Sequence, residues 1–366
     1  MTNDGHSSVI LASLGITELE DILVIGHSII RGNDTEICRE NNEHQTVLCL
    51  PRTEVDEEVL YLTVMEAYDI IKGMVFLAVV VSGIPGNIVV AISFICLTGM
   101  GYKLLLTDIF ICKIAIVNLV LILTRGLPVT LFVLFSLKNL YSDVECKVIM
   151  YLARVSRGMA ICLTCILVCI QCITLSPTTS KLFVLKLRLS KYSLIAFYVI
   201  FGINMIAEIS PPMYTVSKIN STNLEYTFHF GYCIVHFADY TPFMLTAISY
   251  IVRDFVFLIL MTTASLSIFL ILIKHKKQIK EIRSDMKNQS QSAETKAAKV
   301  VVTLASLYVF FIGFENAIFL YQTLVTKNPI ISDVRHFFSV CYSSIFPAVI
   351  IIANKRVQNS IKCRYE

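Results

Sequence analysis

Apolar stretches alternate with polar segments along the chain, and seven of these stretches are long enough to cross a lipid bilayer. The first, residues 74–97, contains no charged residue, and at about 1.5 Å of helix rise per residue it spans a hydrocarbon core of roughly 30 Å. The others cover approximately residues 108–135, 146–177, 192–214, 241–273, 300–325 and 337–354. This pattern predicts an all-α membrane protein, a seven-transmembrane helix bundle within residues 71–354.

The composition agrees with this fold class. Hydrophobic residues make up 55% of the chain and charged residues 16%, whereas soluble domains are about a quarter charged. Residues 1–70 hold 14 acidic residues and three arginines, a net charge of −11, so the remainder carries +15 of the total of +4. Such a division favours opposite sides of a membrane over a nucleic-acid-binding protein, and we expect no nucleic-acid partner.

The distribution of cations predicts the orientation. Residues 178–191 carry four cations and no acid, and residues 274–299 carry eight cations against three acids. Cytoplasmic loops hold the excess of lysine and arginine, so we expect the N-terminus to be extracellular. Residues 1–70 then form a largely disordered acidic extracellular tail and residues 355–366 a short cytoplasmic tail.

Glycosylation sequons fit this orientation. Those at Asn33 and Asn220 fall on the predicted outer side, so both asparagines are expected glycosylation sites. A third sequon, at Asn288, falls in a predicted cytoplasmic loop and is expected to stay unmodified.

Cysteines outside the apolar stretches predict a disulfide bond. Four of the 12 cysteines lie in predicted extracytoplasmic segments: Cys38, Cys49, Cys146 and Cys233. We expect Cys146 and Cys233 to be bonded, with Cys146 at the start of the third spanning helix. A Cys38–Cys49 bridge across a small loop is left open.

Catalysis and metal binding find little support. The chain contains no HExxH, GxSxG or Walker motif, and no pair of aspartates lies within the predicted spans. Four cysteines do recur along the third helix, Cys162, Cys165, Cys169 and Cys172, but one straight helix cannot arrange them tetrahedrally around zinc. We therefore expect no enzyme activity, no metal and no cofactor.

Charged residues within the spans are the candidates for a functional site, because charges in a membrane are costly and mark binding or transport. Seven lie in the predicted outer halves of helices 2 to 6: Arg125, Arg154, Arg157, Glu208, Arg253, Asp254 and Glu315. We predict a mutual ion network at a ligand-binding site. The four arginines exceed the three carboxylates, and a small acidic ligand is one way to complete the set; purely structural pairing is the alternative.

Aromatic residues near Glu315 leave two interpretations open. Tyr308, Phe311 and Phe314 either form an aromatic wall of the binding site or belong to ordinary core packing.

Several sequence blocks carry a family resemblance: Arg125-Gly126-Leu127-Pro128, RVSRG at 154–158, Thr174-Leu175-Ser176-Pro177, PPMYTVSKIN at 211–220, Gly231-Tyr232-Cys233, Arg253-Asp254 and ETKAAK at 294–299. With these blocks the chain resembles the vomeronasal type-1 receptor family, including its fish olfactory relatives, a branch of the rhodopsin-like G-protein-coupled receptors. Like that family, it has Leu175-Ser176-Pro177 where the general pattern has Asp-Arg-Tyr.

The resemblance implies a chemosensory receptor in the plasma membrane of sensory neurons. Such a multi-pass receptor binds a small pheromone or odorant from outside and activates a heterotrimeric G protein, commonly of the inhibitory class. Membrane lipid is a further expected partner of the basic inner loops. The alternative from another class is a seven-helix transporter or channel whose buried charges form an ion path, which would give flux or current without a G protein.

Overall fold

The computed structural model describes residues 36–40, 47–135, 141–176, 186, 188–217, 226–281, 288–325 and 329–362. Its helices are α1 (Arg52–Gly99), α2 (Leu106–Leu121), α3 (Leu127–Phe135), α4 (Asp143–Leu175), α5 (Leu189–Ala207), α6 (Ser210–Met213), α7 (Tyr240–Glu281), α8 (Asn288–Leu324), α9 (Pro329–Ala353) and α10 (Lys355–Lys362). Its strands are β1 (Glu36–Glu40), β2 (Val47–Pro51), β3 (Thr215–Val216), β4 (Thr227–His229) and β5 (Ile234–His236). Asn33 and Asn220 lie outside the described residues.

Seven described stretches are long and apolar enough to cross a membrane: span 1 (Ala67–Gly99), span 2 (Leu106–Phe135), span 3 (Asp143–Leu175), span 4 (Leu189–Met213), span 5 (Tyr240–Lys274), span 6 (Thr295–Leu324) and span 7 (Ile330–Ala353). The predicted seven-helix bundle is confirmed. The predicted start of span 7, at residue 337, is wrong. The helix begins at Pro329, a residue favoured in the first turn because it has no N–H to leave unsatisfied.

The described chain divides at Lys72 into two compact units. In the first unit, β1 and β2 pair antiparallel, with Cys38 opposite Cys49 in the register. Helix α1 begins directly after β2, and Asp69 forms an ion pair with Lys72 at 2.9 Å. The extracellular location of this unit stays a prediction, and a Cys38–Cys49 bridge stays open.

Span 3 is the centre of the second unit. It is the most buried of the seven spans and packs against spans 2, 4, 5 and 6. Its first turn is fixed by a capping box, in which the Glu145 N–H donates to Ser142 Oγ (3.4 Å) and Glu145 Oε2 accepts from the Ser142 N–H (2.8 Å). Lipid is as apolar as the side chains, so close packing and polar contacts hold such helices together.

A proline in span 2 creates a polar contact with a loop. Pro128 has no N–H, so the carbonyl of Thr124 lacks its usual donor four residues ahead, and the preceding turn, Ile122–Gly126, is π-helical. Tyr232, from the segment between spans 4 and 5, donates its hydroxyl to that carbonyl at 3.4 Å. Burial raises the pKa of Tyr232 further above neutrality, so the phenol is protonated and acts as the donor.

Span 7 contains Pro347, and a residue of span 1 donates to the backbone carbonyl that this proline leaves without a helical donor. Pro347 deprives the Ser343 carbonyl of a helical donor, and Asn87 Nδ2 donates to this carbonyl at 2.8 Å. The helices approach closely, because a Cβ added to Gly86 would lie 2.7 Å from the Pro347 ring. Ser343 Oγ also donates to Asn118 Oδ1 at 3.1 Å, which links spans 1, 2 and 7.

We predict that Asn87→Ala destabilises the bundle by about 1–3 kcal/mol, because it leaves the buried Ser343 carbonyl without a donor. The measurement is the apparent Tm of the purified protein in detergent. Ser82→Ala is the matched control, since Ser82 is exposed and its hydroxyl bonds within its own helix, to Ala78 O at 2.7 Å. Equal Tm values for the two variants would contradict the prediction.

Candidate ligand-binding site

A small antiparallel sheet covers the end of the bundle at which span 3 begins. We call strands β3, β5 and β4, in that spatial order, the cover sheet. Strand β5 follows a tight turn at Gly231, which has φ +82° and lies against the ring of Phe132. Cys233 in this turn is bonded to Cys146 of span 3, with a Cα–Cα distance of 5.9 Å. The cover sheet is thereby anchored over span 3.

Beneath the cover sheet, buried arginines and carboxylates alternate across the bundle. Arg154 Nε of span 3 contacts Glu208 Oε2 of span 4 at 2.7 Å. Arg253 of span 5 bridges the other oxygen of Glu208 and Asp254, the latter at 3.1 Å from Nε to Oδ1. These contacts link spans 3, 4 and 5 through polar groups within the membrane.

The alternation continues through Arg157, whose side chain is 1% exposed. Its Nη1 lies 2.6 Å from Asp254 Oδ2, and its Nε and Nη2 each lie 2.9 Å from Glu315 Oε2 of span 6. Arg125 Nη1 of span 2 is 3.7 Å from Glu315 Oε1, and its Nη2 donates to Nδ1 of His336 in span 7 at 3.0 Å. We call the seven charges from Arg154 to Arg125 the ion chain.

Tyr250 and Gly158 give the ion chain its geometry. The Tyr250 hydroxyl donates to Glu315 Oε1 at 3.1 Å, and its ring centroid lies 4.3 Å from the Arg157 guanidinium carbon. Gly158 leaves room for the neighbouring helices, because an added Cβ would lie 2.3 Å from Asn204 Oδ1 and 3.0 Å from Arg253 Nη1. The RVSRG block therefore combines two charged contacts with one position that must stay small.

A cavity of about 30 Å³ lies between the ion chain and the cover sheet. Its lining is aromatic and cationic: Arg125, Met150, Ala153, Arg154, Arg157, Phe228, Phe230, Tyr232, Thr246, Tyr250, Phe319 and Arg335. This volume is about that of one water molecule. A larger ligand therefore has to displace side chains or the cover sheet in order to bind.

Arg335 of span 7 differs from the other arginines in the cavity. It is 4% exposed, and within the part of the chain that the structure describes no carboxylate lies within salt-bridge distance of it. Its guanidinium carbon instead lies 5.0 Å from the ring centroid of Phe319 and 5.9 Å from those of Phe228 and Phe230. Arg335 is therefore a buried cation in an aromatic surrounding without a described anionic partner.

The predicted ion network is confirmed, and its members take two positions. Arg125, Arg154 and Arg157 line the cavity, whereas Glu208, Asp254 and Glu315 pair with those arginines from behind. Arg253 also lies behind the cavity, where it joins Glu208 to Asp254. A role of the seven residues in ligand binding stays a prediction.

Of the two interpretations of Tyr308, Phe311 and Phe314, the aromatic wall is wrong for the described cavity. Core packing is correct for Tyr308, which is buried, whereas Phe311 is half-buried and Phe314 is 50% exposed. None of the three lines the described cavity; Tyr308 packs against Tyr342, with ring centroids 4.4 Å apart. The cover sheet and its flanks supply aromatic residues of the cavity instead, through Phe228 and Phe230. These lie in a polar connecting segment that has no helical period, so pattern reasoning could not place them.

Sequence reasoning also missed Arg335 and His336. Both lie just before the predicted start of span 7, in a segment that also contains Asp333 and reads as a polar loop. The signal that could have found them is Pro329, since proline is favoured at the first helical position.

A seven-helix bundle with a buried cavity beneath a disulfide-anchored cover is the architecture of a membrane receptor for small molecules. The chain belongs to the vomeronasal organ pheromone receptor family, whose sequence model matches residues 70–363. It is 35% identical to olfactory receptor class A-like protein 1 of Danio rerio over 295 residues, which cover 80% of this chain and 92% of that protein. It is 32% identical to vomeronasal type-1 receptor 3 of Homo sapiens over 251 residues, which cover 68% and 79%.

Membership of this family establishes the general function. The protein is a chemosensory G-protein-coupled receptor, a multi-pass membrane protein that binds small chemical ligands and activates a heterotrimeric G protein. It is a signalling receptor and not an enzyme, and the transporter or channel alternative loses its support.

We predict that Gly158→Ala lowers the stability of the receptor by about 1–3 kcal/mol. The new methyl group would displace Asn204 and would move Arg253 out of its place in the ion chain. Apparent Tm and surface expression measure the effect. Gly202→Ala is the matched control in span 4, since an added Cβ there meets no atom within 4 Å. If both variants behave alike, close packing at Gly158 is not required.

Proposed function

We propose that the receptor detects a small acidic pheromone or odorant, whose anionic group binds to Arg335 and whose apolar part lies among Phe228, Phe230 and Phe319. Arg335 carries this proposal, as a buried cation without a described carboxylate partner. A buried charge is costly unless it is paired. An incoming carboxylate would supply the missing partner through two parallel hydrogen bonds, a geometry that guanidinium groups favour.

The charge balance supports an anion in preference to a cation. Together with Arg335, the ion chain contains five arginines against three carboxylates, a surplus of two positive charges. A cationic ligand would add to this surplus. A neutral ligand would leave Arg335 unpaired in the bound state.

The ion chain offers a route from binding to activation. Glu315 is the carboxylate of span 6, and it is shared by Arg157 of span 3 and Arg125 of span 2. A ligand anion that binds Arg335 and draws Arg125 toward itself would weaken the hold on Glu315. Span 6 would then favour a second position, and the ligand stabilises that state in proportion to its better affinity for it.

The orientation, G-protein class and location belong to the same proposal. The cover sheet and the N-terminus lie on the extracellular side, as the cation-rich segments 178–191 and 274–299 favour. The G protein is of the inhibitory class, and the receptor acts in the plasma membrane of sensory neurons, as the family resemblance implies.

We predict that small carboxylic acids activate the receptor and that Arg335→Gln raises the EC50 for an active acid at least tenfold, through loss of the ion pair. The measurement is a G-protein reporter in transfected cells, with a panel of aliphatic and aromatic monocarboxylic acids and their amides. Arg154→Ala and Arg157→Ala are also expected to abolish the response. Surface expression is measured alongside, because Arg157→Ala removes the buried partner of both Asp254 and Glu315 and is expected to destabilise the bundle as well.

The control is Arg188→Gln, which removes an exposed arginine that does not line the cavity. Arg335→Lys keeps the charge without the planar fork, so an intermediate EC50 is expected. Equal potency of acid and amide, or an unchanged EC50 for Arg335→Gln, would refute the proposed role.

We predict that the receptor carries glycans at Asn33 and Asn220. Removal of N-linked glycans with a glycosidase, and each variant Asn33→Gln and Asn220→Gln, should increase its electrophoretic mobility. Asn288→Gln is the matched control and should leave mobility unchanged, since that sequon would face the cytoplasm. A shift for Asn288→Gln alone would reverse the proposed orientation.

A further inference from the structure

A second and larger cavity lies at the opposite end of the bundle. It has a volume of about 850 Å³ and is open on one side. Its walls come from the last turns of span 1, the connection to span 2 and helix α10. We call it the α10 groove. Its volume lies within the roughly 300–1,000 Å³ of ordinary small-molecule sites.

Two local features create the α10 groove. The chain leaves span 1 through Gly101, which has φ +81°, so that Tyr102 and Lys103 extend beside the helix end and do not continue it. On the other side, α10 is amphipathic, with Val357 fully buried against the bundle and charged residues outward. Arg356 fixes α10 to span 2 through an ion pair of 2.7 Å between its Nη1 and Asp108 Oδ2.

The lining of the α10 groove combines an apolar wall with a few polar groups. Its wall is apolar and includes Leu97 and Leu104, while Lys103, Arg356 and Ser360 supply polar groups. Lys103 is exposed, and among the described residues it forms no salt bridge. The Arg356 side chain is 46% exposed despite its ion pair, so part of its guanidinium stays accessible. An apolar wall next to accessible cations suits an amphiphile with an anionic head.

We propose that the α10 groove binds an anionic phospholipid, with the phosphate and acidic headgroup at Lys103 and Arg356 and an acyl chain along the wall. The groove lies where span 1 ends and span 2 begins, so lipid headgroups are expected at its level. The assignment of the leaflet rests on the orientation proposed above, which places this end on the cytoplasmic side, where anionic lipids are enriched. Each basic residue near such a surface attracts anionic lipid.

The test uses full-length receptor in nanodiscs of phosphatidylcholine that contain phosphatidylserine with a photoactivatable group on one acyl chain. After illumination, mass spectrometry maps the labelled peptides. We expect labelling within residues 89–104 and 355–362, competed by unlabelled phosphatidylserine and reduced at least fivefold by Lys103→Gln. Lys191→Gln, which removes an exposed cation outside the groove, should leave labelling unchanged.

A second variant tests the acyl-chain part of the site separately from the headgroup part. Ser360→Phe keeps both cations but fills the groove from the short helix α10, and should also abolish labelling there while the apparent Tm is retained. Equal labelling by photoactivatable phosphatidylcholine, absence of label from the two segments, or insensitivity to Lys103→Gln would each overturn the proposal.

The readout needs neither an odorant nor a G protein, and both nanodisc faces present the same lipids. Failure here is therefore distinguishable from failure of the proposed acid recognition or orientation.

Discussion

The ion pairs of Arg157 are the constraint on which the rest of the bundle depends. This side chain is almost fully buried in span 3 and lies between Asp254 of span 5 and Glu315 of span 6. A lone charge at such a depth is expensive, whereas one held by two carboxylates fixes the rotation of three helices at once. The small residue that follows it, Gly158, lets spans 4 and 5 come close enough for the alternation of charges to extend to Arg154.

The same requirement for internal partners explains the contacts around Pro128 and Pro347. Within a membrane no water is available for a freed backbone carbonyl. The Ser343 carbonyl, freed by Pro347, therefore accepts from Asn87 of span 1, and the Thr124 carbonyl, freed by Pro128, accepts from the Tyr232 hydroxyl. The second of these contacts connects a helix irregularity directly to the cover sheet. Disulfide, phenol and sheet together place Phe230 over the cavity.

The two proposed sites, one for an acidic ligand and one for an anionic lipid, use similar chemistry at opposite ends of the bundle. At one end, Arg335 is enclosed by aromatic rings and is suited to a small acid that reaches it through the cover sheet. At the other, Lys103 and Arg356 flank an open apolar wall suited to a long amphiphile. The two sites differ in how enclosed they are. The closed cavity beneath the cover sheet would select its ligand by shape, whereas the open α10 groove would select a lipid by its charge and its depth in the membrane.

The sequence by itself determined the seven spans, the seven charges of the ion chain and the cysteine pair, because length, apolarity and residue type are local properties. It did not determine that Glu315 is shared by Arg125 and Arg157, that Arg335 has no described carboxylate partner, or that Phe228 reaches the cavity. Helix rotation and loop paths decide these, and both depend on contacts between distant parts of the chain. The start of span 7 is an example. The charged residues around Arg335 resemble a loop in sequence, yet they belong to a helix, because Arg335 is surrounded there by protein and not by lipid.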